Sequence, residues 1–292
     1  MSDTEKYFGG YNTKISDSEV KEAVAKIIAT KVADNQTTEV YKTIFSCIDL
    51  TSLNHTDTEK SIKAMVEKIN AFNQQYKDMP QVGAICVYPS MLQTVKENLT
   101  ENIAIASVSA GFPSSQTFIE IKIAETALCV LEGATEIDTV MSVGNYLSGD
   151  YETVKEELQE IKSACKDAHL KVILESGSLK NAEDIKKASI LAMRSGADFI
   201  KTSTGKTEPA ATLEAAYVMC QAIREFYEKS GEKVGFKAAG GIVTTEDAIN
   251  YYTIVKEVLG ADWLNNKLFR VGASRLANNL LTSIYKKEEK YF

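Results

Sequence analysis

A regular alternation of short apolar runs with longer amphipathic segments constrains the fold of this chain more than any other feature. Eight runs rich in β-branched and apolar residues are each followed by a charged segment with the helical period. The runs are Ile44–Asp49, Gly83–Val87, Ile103–Ser109, Glu136–Val140, Lys171–Glu175, Ala197–Thr202, Lys233–Lys237 and Leu268–Val271. Eight such units in about 245 residues match an α/β fold of the (β/α)8 type, the TIM barrel, which typically needs about 250 residues. Doubly wound sheets, the alternative, more often have roughly five to seven strands.

The chain is predicted to form one barrel domain with an N-terminal extension. Residues 1–41 precede the first unit and carry a helical pattern around Val20–Val32, so we expect a helical extension followed by a barrel over residues 42–292. The four prolines are scattered rather than clustered in a linker, which favours a single domain. The last residues, Lys290-Tyr291-Phe292, lie beyond the final helical pattern and are expected to form a short flexible tail.

Composition and charge argue against several kinds of partner. The net charge of −7 argues against a nucleic acid or an anionic membrane surface, while a local cationic site for a phosphorylated metabolite stays compatible. The start of the chain is polar, and no run approaches the ~18 apolar residues that a membrane span requires, so a soluble cytoplasmic protein is expected. Five widely spaced cysteines and only two histidines favour reduced thiols over a disulfide framework or a zinc site.

Two lysines lie where the core of a barrel would prefer valine or isoleucine. Lys201 lies at the end of the sixth run, Lys237 ends the seventh, and Asp138 lies in the fourth. Because active sites of barrels form at the carboxyl ends of the strands, and neighbouring strands are about 5 Å apart, the two ammonium groups should be neighbours. Burial and a second cation both lower the pKa of a lysine, and a neutral amine is the nucleophile of Schiff-base chemistry. We predict that Lys201 is the nucleophile, and that Asp138 keeps Lys237 protonated and relays protons.

A simpler interpretation of the same residues stays open at this point. Lysines at strand ends can extend to solvent and pair with carboxylates such as Asp138 and Asp49, without any chemistry. Cys86, near the end of the second run, is more simply explained as a small buried hydrophobe, because nothing nearby in sequence would make it a thiolate.

Glycine-bearing turns after the last three runs indicate a second feature, an anion site. The turns are Gly205-Lys206, Gly240-Gly241 and Gly272-Ala273-Ser274. Glycines let backbone N–H groups approach an anion, and a helix that begins at Ser274 would present its positive N-terminus to the same point. The string Gly205-Lys206-Thr207 is similar to the end of a nucleotide P-loop, but that motif needs a glycine where Ile200 stands, so we reject it.

Five strings in the sequence, in order and at compatible spacing, resemble those of one enzyme family. They are Asp49-Leu50-Thr51, Ala84–Pro89, Gly133–Asp138, Asp198–Lys206 and Gly235–Gly241. From about residue 42 to residue 284 the chain closely resembles the deoxyribose-phosphate aldolases, and its longer N-terminus is closer to animal-type members. The resemblance implies a class I aldolase without metal or cofactor that reversibly cleaves 2-deoxy-D-ribose 5-phosphate into D-glyceraldehyde 3-phosphate and acetaldehyde. It also allows a homodimer.

The resemblance implies a role for each matching residue. Lys201 would form the imine, Lys237 would lower the pKa of Lys201, and Asp138 would act with Lys237 in proton transfer. Asp49 and Thr51 would belong to the hydrogen-bond network around the sugar hydroxyls, and Cys86 would be the active-site cysteine of the family. The remaining substrate and phosphate contacts would come from Thr202, Gly205, Lys206, Gly240, Gly241, Gly272 and Ser274.

Three positions depart from the family pattern. Arg275 stands where a second serine is frequent, and Ala238 stands where a proline is common. In some members a tail tyrosine helps proton transfer, and here Tyr291 is the candidate, although such a terminal residue is more often disordered.

Two functions other than a deoxyribose-phosphate aldolase stay open. One is a different Schiff-base aldolase, such as a transaldolase-like or phosphogluconate-type enzyme, and the other is a catalytically silent phosphate-binding barrel. The joint presence of the two lysines and the aspartate argues against the silent barrel.

Overall fold

Eight parallel strands close into a barrel in the computed structural model, which describes residues 3–292. Every strand pairs with the next one in sequence, and the ring closes through parallel pairing of the first strand with the eighth. The strands are β1 (Ile48–Thr51), β2 (Ala84–Val87), β3 (Ala104–Ser109), β4 (Glu136–Val140), β5 (His169–Ile173), β6 (Phe199–Lys201), β7 (Gly235–Ala239) and β8 (Phe269–Ala273). The predicted (β/α)8 barrel is confirmed.

Within the described residues three helices precede the first strand, and the second of them matches the helical pattern predicted around Val20–Val32. They are α1 (Asp3–Phe8), α2 (Asp17–Lys31) and α3 (Thr38–Ser46). The side chain of Ser16 caps α2, and the buried residues Val20 and Val24 mark the face of this helix that packs against other helices. The predicted division at residue 41 falls within α3, so the separation of an extension from a barrel domain stays a prediction.

The remaining helices surround the barrel, with one after each strand. They are α4 (Glu59–Gln75), α5 (Leu92–Asn98), α6 (Ile119–Leu131), α8 (Tyr151–Cys165), α9 (Ala182–Arg194), α10 (Leu213–Ser230), α11 (Thr245–Leu259) and α12 (Leu276–Tyr285), with a short α7 (Val143–Ser148) before α8. In α4 the buried residues Ile62, Val66, Ile69 and Phe72 recur at helical spacing, because this stripe packs into the hydrophobic core. Among residues 3–292, none of the helices combines the length and apolar character needed to cross a membrane.

Two predicted boundaries are wrong in ways that matter for the site. Ile44 and Phe45 close α3 rather than open a strand, since an apolar run alone cannot distinguish a buried helix end from a strand. The strand that contains Lys237 continues to Ala239, so Lys237 is the third of five residues of β7 and not the last. Asp138 is likewise the third of five residues of β4. Both side chains therefore lie inside the barrel, below its rim, where they are fully buried.

The C-terminal residues pack against the outer helices in this structure. Tyr291 donates a hydrogen bond from its hydroxyl to the carbonyl oxygen of Lys68 at 2.7 Å. The main-chain N–H groups of Tyr291 and Phe292 both donate to Asn278 Oδ1 at 2.9 Å, and both rings contact Phe72 on α4. Tyr291 thus lies in the helical layer outside the strands, and the flexibility of this tail stays a prediction.

Candidate active site

Lys201, Lys237 and Asp138 form one hydrogen-bonded cluster inside the barrel. Lys201 on β6 is the register partner of Lys237 on β7. Asp138 Oδ2 on β4 lies 2.7 Å from the Nζ atoms of both lysines. All three side chains are buried, with Lys201 the most accessible at 3 % exposure. The structure therefore brings the three predicted catalytic residues into direct contact.

The two lysines differ in how firmly they hold a proton. Burial lowers the pKa of Lys201, Asp138 opposes this shift, and the ammonium group of Lys237 adds to it, so the pKa of Lys201 lies below its usual value. Burial also acts to lower the pKa of Lys237, but Asp138 and Asp49 outweigh it and raise the pKa. The difference follows from geometry, because Lys237 lies 2.5 Å from Asp49 as well as 2.7 Å from Asp138. An amine of lowered pKa thus lies beside an ammonium group of raised pKa, an arrangement that favours Lys201 as the nucleophile of Schiff-base chemistry.

A second set of charged side chains lies deeper in the barrel. Lys171 on β5 pairs with Glu136, and its Nζ lies 3.2 Å from Asp49 Oδ2 and 3.3 Å from Asp138 Oδ1. Arg270 on β8 donates to Asp49 Oδ1 at 2.6 Å and to Glu136 Oε1 at 2.7 Å. Sequence reasoning did not single out Glu136, Lys171 or Arg270. The signal was available, because Lys171 and Arg270 each interrupt an apolar strand as Lys201 does.

A cavity of about 220 Å³ opens over Lys201 at the carboxyl ends of the strands. Its wall includes Lys201 and seven of the ten predicted substrate-binding residues, namely Thr51, Gly205, Lys206, Gly240, Gly241, Gly272 and Ser274. Arg275, which departs from the family pattern, also faces this cavity. The helix α12 begins at Leu276, two residues later than predicted, so Ser274 precedes the helix rather than opening it. The cavity therefore combines two cations, glycine turns and the approach to a helix N-terminus, which suit an anionic group.

The other three predicted substrate-binding residues lie beneath the cavity wall. Asp49 is fully buried and bound by Lys237 and Arg270. Thr202 donates from Oγ1 to the carbonyl oxygen of Ala239 and accepts from the N–H group of the same residue, both at 3.0 Å, so it joins β6 to β7. Cys86 is 1 % exposed, and burial raises the pKa of its thiol. The geometry gives these residues supporting positions and does not place them on the cavity surface.

Gly240 and Gly241 at the mouth of the cavity have positive φ angles of +94° and +79°. A Cβ atom on Gly240 would lie 2.7 Å from Ala210 Cβ and 2.8 Å from Ser203 Oγ, whereas one on Gly241 would meet nothing within 4 Å. Of these two glycines, Gly240 alone combines a left-handed backbone with a close approach of neighbouring atoms.

These two glycines provide a matched pair of variants. Gly241→Ala is expected to cost about 1 kcal/mol of folding free energy through backbone strain alone. Gly240→Ala is expected to lose a further ~1–3 kcal/mol because the new methyl group overpacks the loop, and to weaken phosphate-sugar binding. Denaturant unfolding of both variants measures the difference. Equal destabilisation would contradict the close packing described at Gly240.

The barrel fold, a buried amine of lowered pKa beside an aspartate and a second ammonium group, and a cavity mouth suited to an anion are the features of a Schiff-base aldolase. Comparison with known proteins gives the family. The chain belongs to the DeoC/LacD family of aldolases, whose family model matches residues 43–257, and this confirms the resemblance noted from the five strings.

Individual relatives agree with this assignment. A Caenorhabditis elegans protein named provisionally as deoxyribose-phosphate aldolase is 43 % identical over 273 residues, which cover 92 % of this chain and 89 % of that protein. The deoxyribose-phosphate aldolase of Homo sapiens is 42 % identical over 250 residues, which cover 82 % of this chain and 78 % of that protein. The solved structure of QR15, an aldolase, is 29 % identical, with a TM-score of 0.67 and coverage of 82 % of this chain and 96 % of that chain.

Proposed function

We propose that this protein is a deoxyribose-phosphate aldolase that reversibly cleaves 2-deoxy-D-ribose 5-phosphate into D-glyceraldehyde 3-phosphate and acetaldehyde. The observation that carries the proposal is the position of Lys201, whose pKa burial lowers, on the wall of a cavity whose mouth suits a phosphate group. Relatives at 42–43 % identity that carry the name of this enzyme support the choice of substrate.

The reaction begins with the neutral amine of Lys201. It adds to the aldehyde carbon of the open-chain sugar, and loss of water leaves a protonated imine. The imine draws the electron pair of the C2–C3 bond as that bond breaks, while the C3 hydroxyl gives up its proton to become the aldehyde of glyceraldehyde 3-phosphate. The remaining enamine takes a proton at C2, and hydrolysis releases acetaldehyde and restores Lys201.

Asp138 and Lys237 carry the protons in this scheme. Asp138 Oδ2 contacts both Nζ atoms at 2.7 Å, so a proton released near Lys201 has an acceptor in place. Lys237 stays charged because two carboxylates hold it, and it therefore disfavours a proton on its neighbour. The phosphate group is held at the mouth by Lys206, Arg275 and the turn at Gly240-Gly241.

Trapping with acetaldehyde and borohydride tests this function. The protein is incubated with acetaldehyde, reduced, and mapped by peptide mass, and a two-carbon adduct on Lys201 is expected. Release of glyceraldehyde 3-phosphate from 2-deoxy-D-ribose 5-phosphate, measured with a coupled assay, tests the substrate. An adduct without cleavage of this sugar would favour another Schiff-base aldolase. If folded protein gives no adduct, the catalytically silent phosphate-binding barrel is the remaining hypothesis.

We also propose a cytoplasmic location and no nucleic-acid or membrane partner. All five cysteines are buried and unpaired, which suits a reducing compartment. The net charge of −7 disfavours polyanionic partners for the surface as a whole.

We further propose a homodimer that forms through the outer face of α6. Four of the six large apolar side chains that are exposed in the described part of the chain lie on or next to this helix, namely Phe118, Ile121, Leu128 and Leu131, with exposures of 78 %, 54 %, 59 % and 72 %. Their spacing is symmetric about the midpoint between positions 124 and 125. An antiparallel two-fold pairing of two copies therefore places Phe118 against Leu131 and Ile121 against Leu128, as a self-complementary interface requires.

Leu128→Glu is expected to separate the two copies. The wild-type protein should elute with twice the chain mass of 32.1 kDa, and the variant should elute near the single-chain mass, because two carboxylates would be buried against apolar partners. Light scattering after size-exclusion chromatography measures both masses. Tyr227→Glu, at an exposed aromatic residue on α10, is the matched control and should leave the mass unchanged. A monomeric wild type, or a dimeric Leu128→Glu protein, would rule out this interface.

A further inference from the structure

The interior of the barrel contains a balanced set of buried charges. Besides Lys201, the strands carry three buried carboxylates and three buried cations, each no more than 6 % exposed and joined to the others by ion pairs: Asp49, Glu136, Asp138, Lys171, Lys237 and Arg270. Glu175, a further buried carboxylate, lies beyond the end of β5 and bonds to Thr204. Among the ion-paired strand residues, charges of opposite sign thus occur in equal number before Lys201 is counted. A buried ion is costly unless another ion compensates it. The set is therefore neutral when Lys201 carries no proton, and it has a net charge of +1 when Lys201 is protonated.

A continuous chain of ion pairs connects the lower part of this set to Lys201. Arg270 Nη1 lies 2.6 Å from Asp49 Oδ1, and Asp49 Oδ2 lies 2.5 Å from Lys237 Nζ. Asp138 Oδ2 then lies 2.7 Å from both Lys237 and Lys201. Each ion pair in this chain joins side chains from two different strands. Removing a charge at one end therefore changes the electrostatic potential at the other end.

Arg270 and Glu136 form the lower end of this chain of ion pairs. Arg270 donates from Nη1 to Asp49 and from both Nη1 and Nη2 to Glu136, and Glu136 also accepts a hydrogen bond from Lys171. A guanidinium group stays charged at every accessible pH, so Arg270 cannot relieve an imbalance by losing its proton. Neither Arg270 nor Glu136 belongs to the wall of the cavity, so neither is placed to touch the substrate.

We propose that Arg270 and Glu136 are positioning residues that set the protonation state of Lys201 from beneath the site, by balancing the ion-paired strand residues without a proton on that amine. This inference rests on the proposed imine chemistry. It predicts effects of opposite sign on the protonation of Lys201, and we call this the sign rule. Loss of the Arg270 charge makes the set negative and favours a proton on Lys201, whereas loss of the Glu136 charge makes it positive and disfavours that proton.

The groups that face Lys201 come from several strands and do not change the direction of the effect expected for each variant. Asp138 on β4, Lys237 on β7 and Cys86 on β2 act on it directly. Burial raises the pKa of the Cys86 thiol, which keeps it neutral. Lys171 on β5 contacts the same aspartate. One unit charge at about 10 Å in a partly screened interior corresponds to about one pH unit in the titration of Lys201.

Three variants test the sign rule: Arg270→Met, Glu136→Gln and the double variant. The rate of acetaldehyde trapping on Lys201 is measured between about pH 5 and pH 10. Trapping needs the neutral amine, so its rate rises with pH through the pKa of Lys201. We call the pH range in which this rate rises the acid limb. In Arg270→Met the acid limb is expected to move about one pH unit higher, so that trapping at lower pH is about tenfold slower than in the wild type. In Glu136→Gln the acid limb is expected to move to lower pH. The double variant should return close to wild type.

The double variant and a conservative variant keep the test decisive. Arg270→Met leaves Asp49 and Glu136 undercompensated and can fail to fold, whereas the double variant removes one charge of each sign. Comparison of Glu136→Gln with the double variant then still reports the effect of Arg270. Arg270→Lys keeps the charge and should keep the limb near wild type. A merely structural role would lower the amount of folded protein in every variant without moving the limb.

A second readout separates this inference from the proposed function. Carbamoylation of Lys201 by cyanate also needs the neutral amine, and peptide mapping follows it without any aldolase chemistry. Opposite shifts of the carbamoylation limb in the two single variants support the inference even where no acetaldehyde imine forms, an outcome that would remove only the aldolase proposal. Shifts in the same direction, or no shift in any folded variant, would overturn the role of Arg270 and Glu136.

Discussion

Lys201→Leu is expected to abolish both the acetaldehyde adduct and the cleavage of 2-deoxy-D-ribose 5-phosphate, with kcat at least about 10⁴-fold below wild type. The neighbouring amine cannot replace it, because Asp49 and Asp138 hold Lys237 in its charged form. The fold should survive, since Asp138 keeps its contacts with Lys237 and Lys171 after the substitution. The cavity mouth is unchanged, so calorimetry should still detect binding of the sugar phosphate.

A matched control distinguishes loss of the nucleophile from loss of a buried lysine. Lys186 on α9 is 6 % exposed and pairs with Glu225 at 3.1 Å in the helical layer, away from the cavity. Lys186→Leu removes an equally buried ammonium group and is expected to keep kcat within about twofold of wild type. A Lys201→Leu protein that retained full activity would refute the imine mechanism.

Asp138→Asn is expected to separate imine formation from turnover. The amide has the shape of the carboxylate but cannot accept the proton that carbon–carbon cleavage releases, so kcat should fall by about 10²–10⁴-fold. Asp138 acts to raise the pKa of Lys201, and its removal therefore leaves the amine at least as free of protons as before. Acetaldehyde trapping at pH 7 should persist while turnover is lost. Asp49 continues to hold Lys237 at 2.5 Å.

Asp198→Asn provides the control for this substitution. Asp198 lies beside β6 and binds Lys162 at 2.6 Å on the outer side of the strands. In the wild-type protein the N–H group of Leu170 donates a hydrogen bond to the Asp198 carboxylate, and the amide oxygen of the variant can still accept it. Activity should therefore stay near wild type. Parallel loss of trapping and turnover in Asp138→Asn would mean that Asp138 positions Lys201 rather than moving protons.

The sequence was sufficient to predict the barrel and the neighbouring positions of Lys201, Lys237 and Asp138, because each of these residues places a charge in an apolar run and the barrel topology brings the runs together. Their catalytic roles stay a prediction. A lysine inside an apolar run is visible without knowing the fold, and so is the string around Lys201. The rest of the interior could not be predicted in this way. Arg270 meets Asp49 across 221 positions of sequence, and Lys171 meets Asp49 across 122. Whether such residues pair or extend to solvent is decided only when the strand register is fixed.

Local apolarity also failed where two structures compete for the same residues. Ile44 and Phe45 have the composition of a strand, yet they continue the buried face of α3, which the side chain of Thr37 caps. The mid-strand position of Lys237 was missed because strand ends are set by backbone pairing with β8, not by side-chain pattern.

Closure of the ring between β1 and β8 has a consequence for the order of events during folding. Ile48 pairs with Val271, so the barrel closes through contacts between segments far apart in the chain, and contacts of this kind form slowly. Until β8 joins β1, Asp49 lacks the guanidinium group that compensates it in the native state. The pairing of β8 with β1 therefore closes the ring of strands and, in the same step, removes the charged groups of Asp49 and Arg270 from water. The rate of this step should depend on ionic strength as well as on topology.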